Sequence, residues 1–221
     1  MSPRPLVVDA ELSAYIAAHS TPPDTVQHQL IAATRDRTGG AAGMQIGGDQ
    51  GLLFEMLVRA MGVRRAIEIG TFTGYSALSI ARGLPPDGRL LCCDVSEEWT
   101  AIAREHWELA GVADRIELRI GPALATIAAL DPDETFDLAF IDADKTNYGN
   151  YFDAIVPRLT EHGLILVDNT LWSRRVIDDT ADDPDTRALR AFNDQVARDP
   201  RVRCVVLPIG DGVTVLQRRP D

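Results

Sequence analysis

The sequence predicts an α/β fold whose centre is a seven-stranded, mostly parallel sheet that closes with an antiparallel hairpin. From residue 65 onward, five short apolar runs alternate with helical stretches, a pattern typical of a parallel sheet with helices on both faces. The last two apolar runs are separated only by Gly210-Asp211-Gly212, and so short a turn requires antiparallel neighbours. The predicted strands are 66–69, 90–95, 115–120, 136–141, 164–167, 202–209 and 213–216, and the predicted helices between them are 75–82, 97–110, 122–129, 147–159 and 185–198.

Residues 1–60 are expected to form helices that serve as a lid, dimer or substrate region, ahead of a main domain at 61–221 within one structural domain. Asp49 is a candidate N-cap for the last of these helices. The glycine-rich stretch 38–48 is either a mobile lid or an ordinary linker. Apolar residues recur at helical spacing at Leu12, Tyr15 and Ile16, then Val26, Leu30 and Ala33, and then Leu52, Leu53, Met56 and Leu57.

Composition limits the classes of function. The formal net charge of −11 argues against a protein that binds nucleic acid by neutralising phosphates. Three cysteines, Cys92, Cys93 and Cys204, match no metal-finger spacing and indicate buried thiols in a reducing cytoplasm. The first residues lack the apolar stretch of a secretory signal, and no apolar run reaches the ~20 residues that cross a bilayer. We therefore expect a cytoplasmic protein without nucleic-acid or membrane partners.

The end of the first predicted strand has the features of a cofactor site. Gly70 and Gly74 let the backbone turn sharply, and the helix after Gly74 offers free N–H groups to a carboxylate. Asp94, at the end of the second strand, is placed to accept hydrogen bonds from ribose hydroxyls. The alternative is that the glycines serve a turn and that Asp94 or Ser96 caps a helix. Because the loop is not G-x-G-x-x-G, a phosphate-free adenosine cofactor with a carboxylate and an amine fits better than NAD.

Polar residues at the ends of the fourth and fifth predicted strands indicate a metal site. Asp142 ends one of these strands, and Asp168 and Asn169 end the other. Two carboxylates and an amide oxygen form a hard ligand set that suits Mg²⁺ best, with Mn²⁺ or Ca²⁺ as alternatives. The three residues could instead be turn and cap residues. Lys145 is a candidate base that accepts a proton from a hydroxyl held on the metal, or else a solvated surface lysine.

These residues resemble the cation-dependent O-methyltransferases, the caffeoyl-CoA and catechol O-methyltransferase-like family. The matching stretches, which lie between about residue 25 and residue 219, are Met44, Asp49-Gln50-Gly51, Glu68–Ser76, Cys93-Asp94, Gly121–Leu124, Phe140–Lys145, Asn147-Tyr148, Val167–Asn169, Asp185–Arg187, Phe192-Asn193 and Leu207–Gly212. The resemblance implies a Rossmann-like class I methyltransferase fold, S-adenosylmethionine, usually Mg²⁺, and usually a homodimer.

The family pattern also implies roles for individual residues. Asp142, Asp168 and Asn169 become metal ligands, and Lys145 becomes the catalytic base, acting with Asp142. Lys145, Asn169 and Trp172 are expected to contact the acceptor. The expected cofactor contacts are Met44, Glu68, Gly70, Thr71, Phe72, Gly74, Tyr75, Ser76, Asp94, Val95, Ala123, Asp142, Asp144 and Tyr151.

The acceptor stays open. We expect a vicinal-diol, catechol-type hydroxyl on a small phenol or on an acyl-CoA ester. Arg174 and Arg175, in the loop at 171–184, would meet an anionic acceptor or would pair with neighbouring acids. Two other hypotheses are an NAD-dependent oxidoreductase on a similar sheet and a protein that binds S-adenosylmethionine without catalysis.

Overall fold

A seven-stranded sheet forms the centre of the protein in the computed structural model, which describes residues 8–220. The first seven residues of the predicted N-terminal segment, and residue 221, lie outside the described residues. The strands are β1 Arg65–Ile69, β2 Arg89–Asp94, β3 Ile116–Ile120, β4 Phe136–Ile141, β5 Leu159–Val167, β6 Val202–Leu207 and β7 Val213–Arg218. Their order along the sheet is β3-β2-β1-β4-β5-β7-β6.

The strand pairing confirms the predicted mixture of directions. β1 to β5 pair in parallel, whereas β7 runs antiparallel to both β5 and β6. The chain leaves β1 toward β2 and β3 on one side and returns to β4 on the other. The strand order therefore reverses between β1 and β4, and open sheets bind ligands outside the strand ends at such a point.

Helices cover both faces of the sheet. The α-helices are α1 Ala10–Ala18, α2 Thr25–Thr38, α3 Gly48–Met61, α4 Tyr75–Gly83, α5 Glu97–Leu109, α6 Ala123–Ala128, α7 Tyr148–Ile155 and α8 Pro184–Arg198. Short 3-10 helices lie at Gly39–Met44, Ala113–Arg115, Lys145–Asn147, Val156–Arg158 and Trp172–Ile177. One core cluster lies between the sheet and α6 to α8, and a second lies between the sheet and α2 to α5. None of the helices described is long and apolar enough to span a membrane.

The N-terminal helices differ in how they meet the sheet. Leu30 of α2 and Phe54 and Val58 of α3 are fully buried, so these two helices share one core with the sheet. The predicted apolar stripe of α1 is wrong as a packing surface, because α1 buries no residue and leaves Tyr15 61% and Ile16 40% exposed.

Several element boundaries differ from those predicted, for local reasons. α7 ends at Ile155 instead of residue 159, because Pro157 lacks an N–H and cannot continue the α-helix. Pro208 likewise cannot donate to a strand ladder, and β6 stops at Leu207. Asp49 is not the N-cap of α3, which is Gly47. The Asp49 carboxylate lies in the first turn, where its negative charge interacts favourably with the positive end of the helix dipole.

Candidate active site

A cavity of about 830 Å³ opens at the carboxyl ends of β1, β4 and β5, beside the point where the strand order reverses. The wall also includes parts of the 3-10 helix before α3, the loop after β5 and the turn before β7. Many of the predicted site residues line it, namely Met44, Gly70, Thr71, Phe72, Gly74, Tyr75, Ser76, Asp142, Asp144, Lys145, Asp168, Asn169 and Trp172. The glycine-rich stretch contributes Gly43 and Gly47 to the wall, whichever of the two predicted roles it has.

The turn between β1 and α4 depends on two glycines. Gly70 has φ +90°, and a Cβ there would lie 2.0 Å from the backbone oxygen of Asp142. Gly74 has φ +81°, and a Cβ there would lie 2.5 Å from the Cβ of Ala103. Both positions combine a left-handed backbone with a close approach, so a side chain is excluded on two grounds. The turn lies against the end of β4 and against α5 for this reason.

Asp94 holds the same turn from the neighbouring strand. Its Oδ2 accepts hydrogen bonds from the backbone N–H groups of Thr71, at 2.8 Å, and Phe72, at 2.7 Å. Its Oδ1 accepts from the N–H of Ser96, at 2.7 Å, and the Ser96 hydroxyl caps α5. Asp94 thus supports the turn directly. Of the two residues considered as the cap of the next helix, Ser96 takes that role. A ribose contact of Asp94 stays a prediction, and it is compatible with these bonds because a carboxylate accepts about four hydrogen bonds.

Glu68 lies beneath the turn and is fully buried. It accepts hydrogen bonds from the Ser76 hydroxyl and, at 3.3 Å, from the Cys92 thiol. Burial raises the pKa of Glu68 to about 8 and the charge of Asp142 adds to this, although the bonds from Ser76, Cys92 and Thr71 oppose the rise. Glu68 is therefore mostly protonated at neutral pH, which a sequence pattern cannot reveal.

Five of the predicted cofactor contacts do not line the cavity: Glu68, Asp94, Val95, Ala123 and Tyr151. Val95 is 74% exposed. The Tyr151 hydroxyl donates a hydrogen bond to Asp144, and Asp144 does line the cavity. Direct contact between these five residues and a cofactor stays a prediction.

The two candidate metal carboxylates meet because β4 and β5 are neighbours, with Ile141 paired to Val167. The residues that follow are Asp142 and Asp168, and Asp168 is only 3% exposed. Burial, followed by the charge of Asp142, raises the pKa of Asp168. Asn169 takes a left-handed conformation with φ +57°, which asparagine tolerates better than most residues, and its N–H donates to Asp168 Oδ1 at 2.7 Å.

Lys145 reaches the same place from the 3-10 helix before α7. Its Nζ donates to Asp142 Oδ1 at 2.9 Å and to Tyr148 Oη at 2.8 Å. The Tyr148 hydroxyl donates in turn to the backbone oxygen of Asp168, at 3.2 Å. The Lys145 side chain is 10% exposed, so the surface-lysine alternative is wrong. Lys145 is also the only lysine in the chain, a signal that the sequence offers directly.

The segment after the two candidate ligands is strained and aromatic. Trp172, Ser173 and Arg174 all have positive φ, at 48°, 48° and 67°. Such conformations cost about 1–2 kcal/mol per residue, and they concentrate at ligand-binding sites. The Trp172 ring lies 5.7 Å from Lys145 Nζ, and its Nε1 is buried with no hydrogen-bond partner among the described residues.

Other residues of the wall were not assigned a role from the sequence. Gln50, Asp185 and Asp211 were noted only as parts of matching stretches, and Gln45, Ile46 and Gly210 also line the cavity. Arg175 does not line it. Its guanidinium pairs with Asp183, which is one of the two roles considered for it.

Comparison with known proteins decides the family. A family model described as O-methyltransferase matches residues 17–219. The chain belongs to this O-methyltransferase family. A probable caffeoyl-CoA O-methyltransferase 2 of Dictyostelium discoideum is 36% identical over 208 residues, which cover 92% of this chain and 90% of the relative. A caffeoyl-CoA O-methyltransferase of Mesembryanthemum crystallinum is 39% identical over 186 residues, covering 79% of this chain and 73% of the relative.

Solved structures agree with this assignment. A structure described as a putative O-methyltransferase from Klebsiella pneumoniae has a TM-score of 0.87 and 31% identity, covering 95% of this chain and 96% of that chain. An O-methyltransferase from Bacillus cereus, solved in complex with SAH, has a TM-score of 0.86 and 31% identity, covering 95% and 97%. The predicted resemblance and class I fold are thereby confirmed. The protein is an S-adenosylmethionine-dependent O-methyltransferase of the caffeoyl-CoA type, and this excludes the oxidoreductase and non-catalytic hypotheses.

Proposed function

We propose that this O-methyltransferase depends on a divalent cation and methylates one hydroxyl of a vicinal diol of the catechol type. One observation carries the proposal: Asp142, Asp168, Asn169 and Lys145 line a single cavity, next to the glycine turn after β1. A donor of methyl groups, a cation and an acceptor hydroxyl can therefore be held side by side.

The turn after β1 fits S-adenosylmethionine. Gly70 and Gly74 line the cavity at this turn, and the N–H groups at the start of α4 suit the carboxylate of the methionine end. The acidic wall favours the net positive charge of the cofactor. We propose that the contacts are those expected from the family pattern: Met44, Glu68, Gly70, Thr71, Phe72, Gly74, Tyr75, Ser76, Asp94, Val95, Ala123, Asp142, Asp144 and Tyr151.

The donor set at the ends of β4 and β5 fits a hard cation. Two carboxylates and an amide oxygen are ligands that Mg²⁺ prefers, with Mn²⁺ or Ca²⁺ as alternatives. The described residues contain no cluster of three His, Cys, Asp or Glu side chains placed for a metal, and the proposed set has only two carboxylates, Asp142 and Asp168. The raised pKa of Asp168 supports the proposal, because a cation would relieve the repulsion that causes part of it.

The residues around Lys145 fit the chemistry of a phenol. When bound, the cation supplies Lewis acidity that makes a hydroxyl more acidic, and the cofactor supplies an electrophilic methyl group. Lys145 Nζ accepts the hydroxyl proton. Hydrogen bonds to Asp142 and Tyr148 hold Nζ in place. Asn169 and the Trp172 ring contact the acceptor, the ring as an apolar wall.

The charge of the wall favours a compact acceptor over an acyl-CoA ester. Five carboxylates, from Asp142, Asp144, Asp168, Asp185 and Asp211, line the cavity, and no arginine is among the described wall residues. The phosphates of an acyl-CoA would have to be met outside this wall. The names of the relatives point to caffeoyl-CoA itself, so both acceptor classes need to be tested.

A screen with radiolabelled S-adenosylmethionine tests the proposal. It compares catechols, flavonoids and hydroxycinnamoyl-CoA esters, each with and without Mg²⁺. We expect methyl transfer to vicinal diols only when Mg²⁺ is present, and no transfer to a matched monophenol. Equal transfer to the monophenol would exclude the diol part of the proposal.

We also propose that the chain acts as a homodimer and that its N-terminal helices belong to the same structural domain as the sheet. The exposed Tyr15 and Ile16 of α1 support the first point, and the shared core of α2, α3 and the sheet supports the second. Light scattering after gel filtration tests the dimer, and a mass of 24.1 kDa, that of one chain, would exclude it.

A further inference from the structure

Gln50 is a buried amide in the wall of the cavity. It lies in the first turn of α3 and is only 2% exposed. Its Nε2 has no hydrogen-bond partner among the described residues. A buried donor without a partner costs about 1–3 kcal/mol, and such groups in folded proteins call for a reason.

The oxygen of the Gln50 amide lies close to Gly210. A Cβ on Gly210 would lie 2.8 Å from Gln50 Oε1, so the turn before β7 approaches this oxygen closely. Only glycine at position 210, which also has φ +55°, allows that approach. The turn before β7 therefore lies against the oxygen end of the amide.

Asp168 lines the same cavity as Gln50, and its carboxylate is buried at the end of β5. It is therefore a candidate acceptor for the unpartnered Nε2 of Gln50. Asp168 Oδ1 already accepts the N–H of Asn169. A carboxylate has about four acceptor positions, so Asp168 can accept from Gln50 and still face a cation.

We propose that Gln50 is a positioning residue for a divalent cation: its Nε2 donates a hydrogen bond to the Asp168 carboxylate and keeps that carboxylate turned toward the cation. This inference rests on the proposed function, because it concerns the same cation. Groups that hydrogen-bond a metal ligand in this way change metal affinity about 10–100-fold when they are removed.

The test uses Gln50→Met, which keeps the length of the side chain and removes the N–H donor. Mn²⁺ is the probe, because electron paramagnetic resonance counts the free ion directly and needs no turnover. We expect the variant to bind Mn²⁺ about 10–100-fold more weakly than the wild type. We expect S-adenosylmethionine to bind both proteins alike, and the melting temperature to stay within a few degrees.

Two further variants make the result decisive. Gln50→Asn keeps the amide but shortens its reach, and it should weaken Mn²⁺ binding as Gln50→Met does. Gln217 lies on β7 and does not line the cavity. Gln217→Met replaces the same type of side chain away from the site, and this variant should bind Mn²⁺ like the wild type. Mn²⁺ binding by Gln50→Met at wild-type affinity would overturn the inference, as would a raised KM for the acceptor with unchanged Mn²⁺ affinity. A wild-type protein that binds no Mn²⁺ would instead overturn the cation dependence in the proposed function, and this inference with it.

Discussion

Lys145 Nζ donates a hydrogen bond of 2.9 Å to Asp142 Oδ1, and this contact joins the proposed base to a proposed cation ligand. Both side chains are largely buried, at 10% and 16% exposed. Nζ donates a second hydrogen bond to Tyr148 Oη. Lys145 is therefore fixed by two partners that belong to the site, and an amine that donates to both of them keeps its lone pair for the proton of an acceptor hydroxyl.

Replacing Lys145 should remove the base without removing the cofactor site. We expect Lys145→Met and Lys145→Arg both to lower kcat by about 10²–10⁴-fold, since a guanidinium stays protonated and cannot accept a proton. The affinity for S-adenosylmethionine, measured by calorimetry, should change less than about threefold. Near-normal kcat in Lys145→Arg would show that this position supplies positive charge and not a base.

Asp168→Ala should abolish turnover and leave the cofactor bound. The carboxylate lies at the end of β5, whereas the glycine turn that receives the cofactor follows β1. We expect loss of activity by more than about 10²-fold, with calorimetry showing nearly unchanged S-adenosylmethionine binding. Unchanged turnover in this variant would exclude Asp168 as a ligand.

The fold could be predicted from the sequence because its signals are local. Strand-length apolar runs, Gly210-Asp211-Gly212 and the glycine turn after β1 each depend on a few neighbouring residues. The position of β7 between β5 and β6 could not be predicted, because it depends on how the hairpin packs against the whole sheet.

The candidate site was predictable where residues follow strand ends. Asp142, Asp168, Asn169 and Lys145 were found in this way, and they do lie together. Gln50 and Tyr148 were not assigned roles, because their importance comes from contacts across the fold. The protonation of Glu68 was also hidden, since it depends on complete burial.

The close approach at Gly70 predicts a large effect of one added methyl group. Gly70→Ala places a Cβ 2.0 Å from the Asp142 backbone oxygen, in addition to the cost of φ +90°. We expect a loss of roughly 2–5 kcal/mol in the free energy of unfolding and weak cofactor binding. Urea denaturation measures the first quantity and calorimetry the second.

Gly111→Ala is the matched control for that variant. Gly111 has φ +67°, but a Cβ there would meet nothing within 4 Å. It should lose only the roughly 1–2 kcal/mol of the left-handed backbone and keep cofactor affinity. Equal losses in both variants would show that the approach to Asp142 is unimportant.

The raised pKa of Glu68 predicts a pH-dependent stability. Because the pKa is higher in the folded protein, about 8, than in the unfolded chain, folding favours the protonated form. The protonated Glu68 side chain makes its full contribution to the free energy of unfolding below the pKa that it has in the unfolded chain. This contribution, at most about 5 kcal/mol, is lost as pH rises toward 8.

Melting temperatures between pH 5 and pH 8.5 test this. Glu68→Gln cannot ionise, so its melting temperature should fall less with rising pH than that of the wild type. The exposed Glu161→Gln should follow the wild type. Parallel curves for Glu68→Gln and the wild type would contradict the protonation of Glu68.

Removal and return of the cation tests the central claim most directly. The measurement is transfer of a labelled methyl group from S-adenosylmethionine to a catechol, after dialysis against EDTA and again after addition of Mg²⁺. The arrangement of Asp142, Asp168 and Asn169 predicts that activity disappears in EDTA and returns with Mg²⁺. Full activity in EDTA would contradict it.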